Sequence, residues 1–425
     1  MTRLELTITA LSPLALGQQK PGGSVSEVEN YISGSVLRGA IASQILQLSN
    51  RQSENLAENG GNFQTLFLGE NPAIFGNAYP AVTKIVNESI VVEHEIKVLP
   101  ATAVSSKTNS GFTSSRGHGV FDTLIDSFCA GVYNQPYDPS DPKAIAEGTN
   151  PQVETYKSFY SQIDDNYYSH DASSRFLTRV GINRRRATAE EEILYSVEVL
   201  NESFLKNTKI NEWEQFVFRG FVVIPDQSLA EALQRFIERN PHNFRIGGSA
   251  SRGLGKVKIE VKEGKPPAKG VESRINEFNK AFQDRWRLWS VFGQVENDLL
   301  ADRTYFTLNL QSDAILTENW QRTTVITADM LKDFAEVEDS SLTMHVAYSS
   351  YDYRSGWNFA WGLMKDVELL TNKGSLYLFS TDKPEKWYRE LENLEAKGVG
   401  DRTCEGFGQV EVCNEFHQVF RENAI

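Results

Sequence analysis

The stretch Ile246–Lys262, I-G-G-S-A-S-R-G-L-G-K-V-K-I-E-V-K, constrains this chain more than any other. A run dense in glycine and serine passes directly into alternation. Val257, Ile259 and Val261 point one way, and Lys256, Lys258, Glu260 and Lys262 the other. The loop therefore feeds a strand, whereas the phosphate loops of nucleotide-binding folds open a helix whose N-terminus carries part of the anion binding. The letters differ too. Gly248 and Gly253 have the spacing of a Walker loop, but Leu254 stands where its lysine belongs, and Gly253 and Gly255 do not complete a dinucleotide fingerprint. What remains is a place where backbone must approach something closely.

The pattern occurs twice. Gly253-x-Gly255-x-Val257 corresponds to Gly406-x-Gly408-x-Val410, each preceded by a helical pattern and an upstream glycine and each entering a strand. The first half predicts a strand over residues 2–10, where Leu4, Leu6 and Ile8 alternate with polar residues. A helix follows, on which Leu37, Ile41, Ile45 and Leu48 recur, with Ser35 as N-cap candidate after Gly34. A hairpin with a polar tip spans Arg179–Leu200, a strand Phe216–Ile224 and a helix 229–239. Residues 51–170 are polar and punctuated by turn signals, and predict a large insertion rather than core. The second half predicts strands at Tyr305–Leu310, Met344–Tyr353, Trp357–Leu363 and Ser375–Phe379, then a helix over Pro384–Ala396. The reading is an α+β chain of two tandem ferredoxin-like domains, each ending in a glycine-rich loop. Its parts are 1–262, 263–300 as linker and helix, and 301–425.

At 425 residues the chain is long for one core. Its net charge of −13 argues against indiscriminate nucleic-acid binding but leaves room for a local basic track. Cys129, Cys404 and Cys413 form no CxxC pairing, so neither a disulfide framework nor a cysteine zinc site is expected. With no long apolar run and a strand read from the first residues, no membrane span, no signal peptide and a cytoplasmic location are expected.

The paired glycine loops resemble the RAMP superfamily of CRISPR-associated proteins, built from ferredoxin-like, RRM-related domains. Two further segments share the resemblance: Ile32-Ser-Gly-Ser-Val-Leu-Arg-Gly after the first strand, and the hairpin Asn183-Arg-Arg-Arg-Ala-Thr-Ala-Glu-Glu-Glu-Ile-Leu-Tyr. With two fused units and Ser355-Gly-Trp-Asn, the chain most resembles the Csx-ten family, the Cas-five-type subunit of type III-D effector complexes. The resemblance implies a role without turnover. Such a subunit grips the repeat-derived 5′ tag of the CRISPR guide RNA and docks beside the large signature subunit and the first backbone subunit.

The candidate RNA-binding residues follow from both lines. In the first loop they are Gly247, Gly248, Ser249, Ser251, Arg252, Gly253, Gly255 and Lys256, where bare backbone can lie against ribose-phosphate and the side chains add contacts. In the second they are Arg402, Gly406 and Gly408, although Asp401 and Glu405 make a protein contact an equal alternative. Ser35 and Arg38 qualify because a cation in a helix's first turn opposes the dipole unless an anion sits there. Arg184, Arg185 and Arg186 are candidates that Glu190, Glu191 and Glu192 could neutralise. Trp357 and Trp361 read as core or subunit interface.

Catalytic candidates are few. His118, in Ser115-Arg-Gly-His-Gly, is the best-placed acid–base candidate for a metal-independent endoribonuclease, the alternative to RNA gripping; a purely architectural subunit is the third reading. His170-Asp171 lacks the companion histidines of a metal phosphohydrolase, and His94-Glu95 the second histidine of a zinc protease helix. No metal or other cofactor is implied.

Overall fold

The computed structural model describes residues 1–18, 27–48, 61–85, 88–163, 166–183, 188–293, 303–355, 357–358, 363–364 and 366–425. Two antiparallel sheets carry the two halves. The first is built on β1 (Thr2–Ala10), whose Leu4, Leu6, Ile8 and Ala10 are all buried, as their alternation requires. After β1 come helix α1 (Gly34–Leu48), strand β2 (Ile74–Phe75), helix α2 (Leu124–Val132), and a hairpin of β3 (Ser174–Asn183) and β4 (Thr188–Leu200). Strand β5 (Val217–Ile224), helix α3 (Gln227–Arg239) and strand β6 (Val257–Glu263) complete the half. The strand order is β6-β1-β5-β2, with Tyr79–Pro80 also paired to β5. Register sets Leu6 between Gly220 and Val261. Leu37 and Ile41 of α1 and Ala230, Leu233 and Ile237 of α3 share one core with β1.

The second half is built around the second sheet. Helix α4 (Val271–Trp289) leads to β7 (Thr304–Leu310), α5 (Ala328–Ala335), β8 (Thr343–Tyr348), β9 (Leu376–Thr381), α6 (Tyr388–Lys397) and β10 (Val410–Val412). The sheet runs β8-β9-β7-β10. Val271, Ile275, Phe278, Phe282 and Trp286 recur at helical spacing on α4 and enter the second core.

Several sequence expectations are corrected. The 51–170 segment does not stand apart from the core. Ile74 and Phe75 hydrogen-bond into the first sheet, and Phe75, Ala78 and Val82 lie in its core. Ile125 and Cys129 of α2 lie instead in the second core, where Asp126 pairs with Arg285 at 2.5 Å. The hairpin β3–β4 is a separate two-stranded sheet rather than part of the central one. Helix α1 begins at Gly34, so Ser35 sits inside the first turn and Ser33 O accepts from Val36 N and Leu37 N. Of the run Trp357–Leu363, the described residues form parts of two short paired strands, Trp357–Asn358 and Leu363–Met364; residues 359–362 lie outside the described residues.

Candidate nucleic-acid interface

The two glycine stretches have the same local geometry. Gly247 and Gly400 have φ of 84° and 78°, Ser249 and Arg402 58° and 57°, Gly253 and Gly406 88° and 89°, Gly255 and Gly408 79° and 67°. Between the middle pairs each chain makes one 3₁₀ turn, Ala250–Arg252 and Thr403–Glu405. Hydrogen bonds match as well. Gly248 N–H donates to Ala15 O and Asp401 N–H to Ile315 O, both at 2.9 Å, while Gly255 and Gly408 donate to Pro13 O and Asp313 O at 2.9 Å. Lys256 N–H and Gln409 N–H donate to Ser12 Oγ and Ser312 Oγ at 2.7 and 2.8 Å.

Most of these glycines are explained by close approach within the chain. A Cβ on Gly247 would lie 2.5 Å from Ala15 O, on Gly255 2.3 Å from Ile246 O, on Gly400 2.4 Å from Ile315 O and on Gly408 1.8 Å from Val399 O. Gly253 is different: nothing lies within 4 Å of its Cβ position. It closes an exposed run that includes Ser251 and Arg252, with Ser249 half-buried before it and Lys256 exposed after it. Residues 245–262 carry Arg245, Arg252, Lys256, Lys258 and Lys262 against Glu260 alone, so the outer surface of this loop is a local basic track.

The second loop is occupied by the chain itself. Gly406 lies against the first half, its Cβ position 2.8 Å from Phe75 O and 3.1 Å from Gly34 Cα. Gly34 is equally tight, 2.0 Å from Phe75 O and 2.7 Å from Glu405 O, and its N–H donates to Asn77 Oδ1 at 2.8 Å. The structure thus brings Ser35 and Arg38 to the second loop, not the first. Arg38 and the loop's own Arg402 both have partners within the chain. Arg38 Nη2 donates to Phe67 O and its guanidinium lies 5.5 Å from the Phe67 ring. Arg402 donates to both Glu405 oxygens, at 3.2 and 2.6 Å, and lies 5.1 Å from the Phe407 ring. One guanidinium nitrogen of Arg38 is thus held by a carbonyl, while its buried Nε has no hydrogen-bond partner among the described residues.

Sequence reasoning missed the hairpin's part at the first loop. On one face of β3–β4, Arg179 sits across from Tyr195. Leu177 and Val197 of that face pack with Ala15, Val199 and Leu254, which seats the hairpin on the loop. Arg252 Nη1 donates to Tyr195 Oη at 2.5 Å, with its guanidinium 5.6 Å from the ring. The alternation along β3 and β4 carried this signal, since it puts Arg179 and Tyr195 on the face that holds Leu177 and Val197. Ser12 and Ser312 were also missed; the matching runs Leu11-Ser12-Pro13 and Gln311-Ser312-Asp313 were the clue. Arg184, Arg185, Arg186 and Trp361 lie outside the described residues.

The catalytic candidates are held in structural contacts. His118 Nδ1 is 2.6 Å from Asp141 Oδ2 and its Nε2 3.7 Å from Glu147 Oε2. Asp141 also caps the short helix Pro142–Glu147 by accepting from Lys143 N and Ala144 N. Burial alone would raise the Asp141 carboxyl, but its contacts with His118, Ser106 and those amides bring it below its ordinary value. His170 is buried, its Nε2 2.8 Å from Ser161 Oγ, and burial draws it down to about 4. Glu95 pairs with Arg3 at 2.6 Å. Among the described residues no group of three or more His, Cys, Asp or Glu could hold a metal ion, and no helix is long and apolar enough to cross a membrane.

A family model for the RAMP superfamily matches residues 7–258, more than half of the chain and including the whole first glycine loop. The chain belongs to the RAMP superfamily. Its mixed α/β architecture of antiparallel sheets agrees with a RAMP fold. Similar solved structures are distant. A chain of a type III-B Cmr-beta complex bound to cognate target RNA and AMPPnP is 13% identical over 88% of this RAMP protein and 86% of that chain, with a TM-score of 0.39. Oligomeric Cmr4 from Pyrococcus furiosus is 13% identical over 62% and 99%, TM-score 0.28. A CRISPR-associated Cas6 is 7% identical over 96% and 98%, TM-score 0.32. No curated protein matches the chain.

Proposed function

We propose that this RAMP protein is a non-catalytic guide-RNA-binding subunit of a type III CRISPR effector complex, of the III-D kind, acting in antiviral defence. It grips the repeat-derived 5′ tag and docks the large signature subunit and the first backbone subunit. On this reading its two sheets are duplicated ferredoxin-like units, both in the β-α-β-β-α-β order, and it resides in the cytoplasm. The observation that carries the proposal is the contrast between the loops. The first turns an exposed basic track outward around Gly253, while the second spends the same backbone geometry on joining the halves. Ser249, Ser251, Arg252 and Lys256 contact phosphates and base edges, and Gly247 and Gly255 set the turn that presents them.

The test incubates purified protein with labelled repeat RNA in the absence of metal. Binding without cleavage is expected, weakened by Arg252→Ala and by salt. The endoribonuclease reading rests on the Asp141-oriented imidazole of His118. Metal-independent cleavage that disappears in His118→Ala would replace the binding proposal with it. An assembled complex whose RNA never contacts this chain would leave the architectural role.

A further inference from the structure

The most exposed large apolar side chain among the described residues is neither in the RNA track nor in a core. Trp320 is 100% exposed. It stands at the tip of a hairpin whose strands, Leu316–Glu318 and Gln321–Thr323, pair Glu318 with Gln321 and leave a two-residue turn. Both turn residues are left-handed, Asn319 at φ 49° and Trp320 at φ 65°. Turns of this kind favour Asn-Gly, because the second position suits a residue without a Cβ. Asn319 fits and Trp320 does not. A bulky side chain in a strained conformation, wholly in water, is an outlier from which function is reasonably inferred.

The hairpin's base is fixed. Arg322 donates to Thr317 Oγ1 at 2.7 Å and pairs with Asp401 at 2.5 Å and Glu368 at 2.9 Å, and Thr327 Oγ1 donates to Glu318 Oε1 at 2.6 Å. The indole is thus presented on a rigid support, as a preorganised anchor should be. The surrounding charge selects the partner. Glu318, Asp401 and Glu368 outnumber Arg322, Arg402 is taken by Glu405, and residues 303–425 hold 12 Lys and Arg against 20 Asp and Glu. Such a field repels phosphates and attracts a basic protein surface. Tryptophan is the residue type most enriched at interface hot spots.

We infer that the Leu316–Thr323 hairpin is a docking surface for a basic protein subunit, with Trp320 seated in an apolar slot of that partner. This rests on the proposal that the chain works inside a multi-subunit complex. It names the surface and the charge of the subunit that meets it.

The experiment purifies the complex through a tag on the full-length chain, as wild type, Trp320→Gly and Arg252→Ala. It also introduces a benzophenone side chain at Gln321 for photo-crosslinking. Glycine suits the turn, so Trp320→Gly should unfold at the wild-type temperature or above and bind guide RNA as before when isolated. In the complex it should lose one protein subunit, with affinity falling roughly tenfold or more, and the crosslink should join that subunit through a basic segment. Arg252→Ala should weaken the RNA and keep the subunit. A full subunit complement in Trp320→Gly overturns the inference alone. A crosslink to RNA, with RNA lost in Trp320→Gly, overturns it in favour of base stacking. If wild-type protein assembles with no subunits and no RNA, the proposed function fails and takes the inference with it.

Discussion

Gly253 and Gly408 lie in the same left-handed region, at φ 88° and 67°, yet alanine should affect them very differently. At Gly253 the added carbon meets nothing, so the cost is the conformation alone, about 1–2 kcal/mol. At Gly408 it would fall 1.8 Å from Val399 O, and the backbone must shift. Gly408→Ala should cost roughly 3 kcal/mol or more, read from urea unfolding of both variants. Equal losses would mean that the second loop is less tightly closed than described. His170 makes a second residue-scale prediction. Burial holds its folded value near 4, below the ordinary 6.5, so the unfolded chain binds the proton more readily. The neutral imidazole's contribution is therefore intact above about pH 6.5 and is lost as pH falls towards 4, by roughly 3 kcal/mol. In His170→Gln the unfolding free energy should change less over that interval. The glycines themselves were legible from the sequence. Which of them touched backbone was not, because contacts such as Gly34 with Glu405 O join residues far apart in the chain.

At the scale of elements, alternation and helical spacing located most of the core: the expected strand over 2–10 is β1, and the helix over 229–239 is α3 with two residues added at its start. Two things escaped. β2 is a two-residue strand inside a polar stretch, too short for any period to register, and only its pairing with Val222 and Val223 gives it meaning. The β3–β4 hairpin was legible as a hairpin but not as a separate sheet, since strand partners are settled by tertiary packing. Its position beside Arg252 yields a prediction for the element as a whole. Tyr195→Ala should lower RNA affinity through lost stacking, roughly 1–3 kcal/mol, with the salt dependence unchanged. Arg252→Ala should instead flatten the slope of log affinity against log salt by about one. Equilibrium binding at several salt concentrations separates the two. If Tyr195→Ala changes neither affinity nor slope, the hairpin only shields the loop.

Across the whole molecule the halves are joined by polar contacts that compositional reading could not anticipate. Tyr31 Oη donates to Asp313 Oδ2 at 3.2 Å, Tyr79 Oη donates to Gln311 O, and Arg354 forms an ion pair with Glu29. The best-defined cluster is that of Lys97, from the segment expected to be an insertion, with Glu411 on β10 and Glu415 beyond it, each at 2.7 Å. Burial by itself would lower the Lys97 ammonium, but the two carboxylates outweigh it and raise it above its ordinary value. Its contribution is accordingly complete below the unfolded lysine value and is lost only as pH rises through the higher folded one. Phe416 and Val419 pack beside it against Phe112, Phe121 and Tyr160, so the same seam is apolar on one flank and ionic on the other. Lys97→Met keeps the length of the stem and removes the charge, leaving Glu415 without its cation and Glu411 with only the more distant Arg274, at 3.9 Å. The loss should be roughly 3 kcal/mol at neutral pH, because an unpaired buried carboxylate costs far more than the pair contributes. Glu411→Gln combined with Lys97→Met should recover part of it. Denaturant unfolding followed by far-ultraviolet circular dichroism and by tryptophan fluorescence gives the readout. Coincident transitions that move together in Lys97→Met are expected of halves fused through this seam. Two separated transitions, with only one shifted, would mean that the second glycine loop and the Lys97 cluster touch the first half without coupling to it.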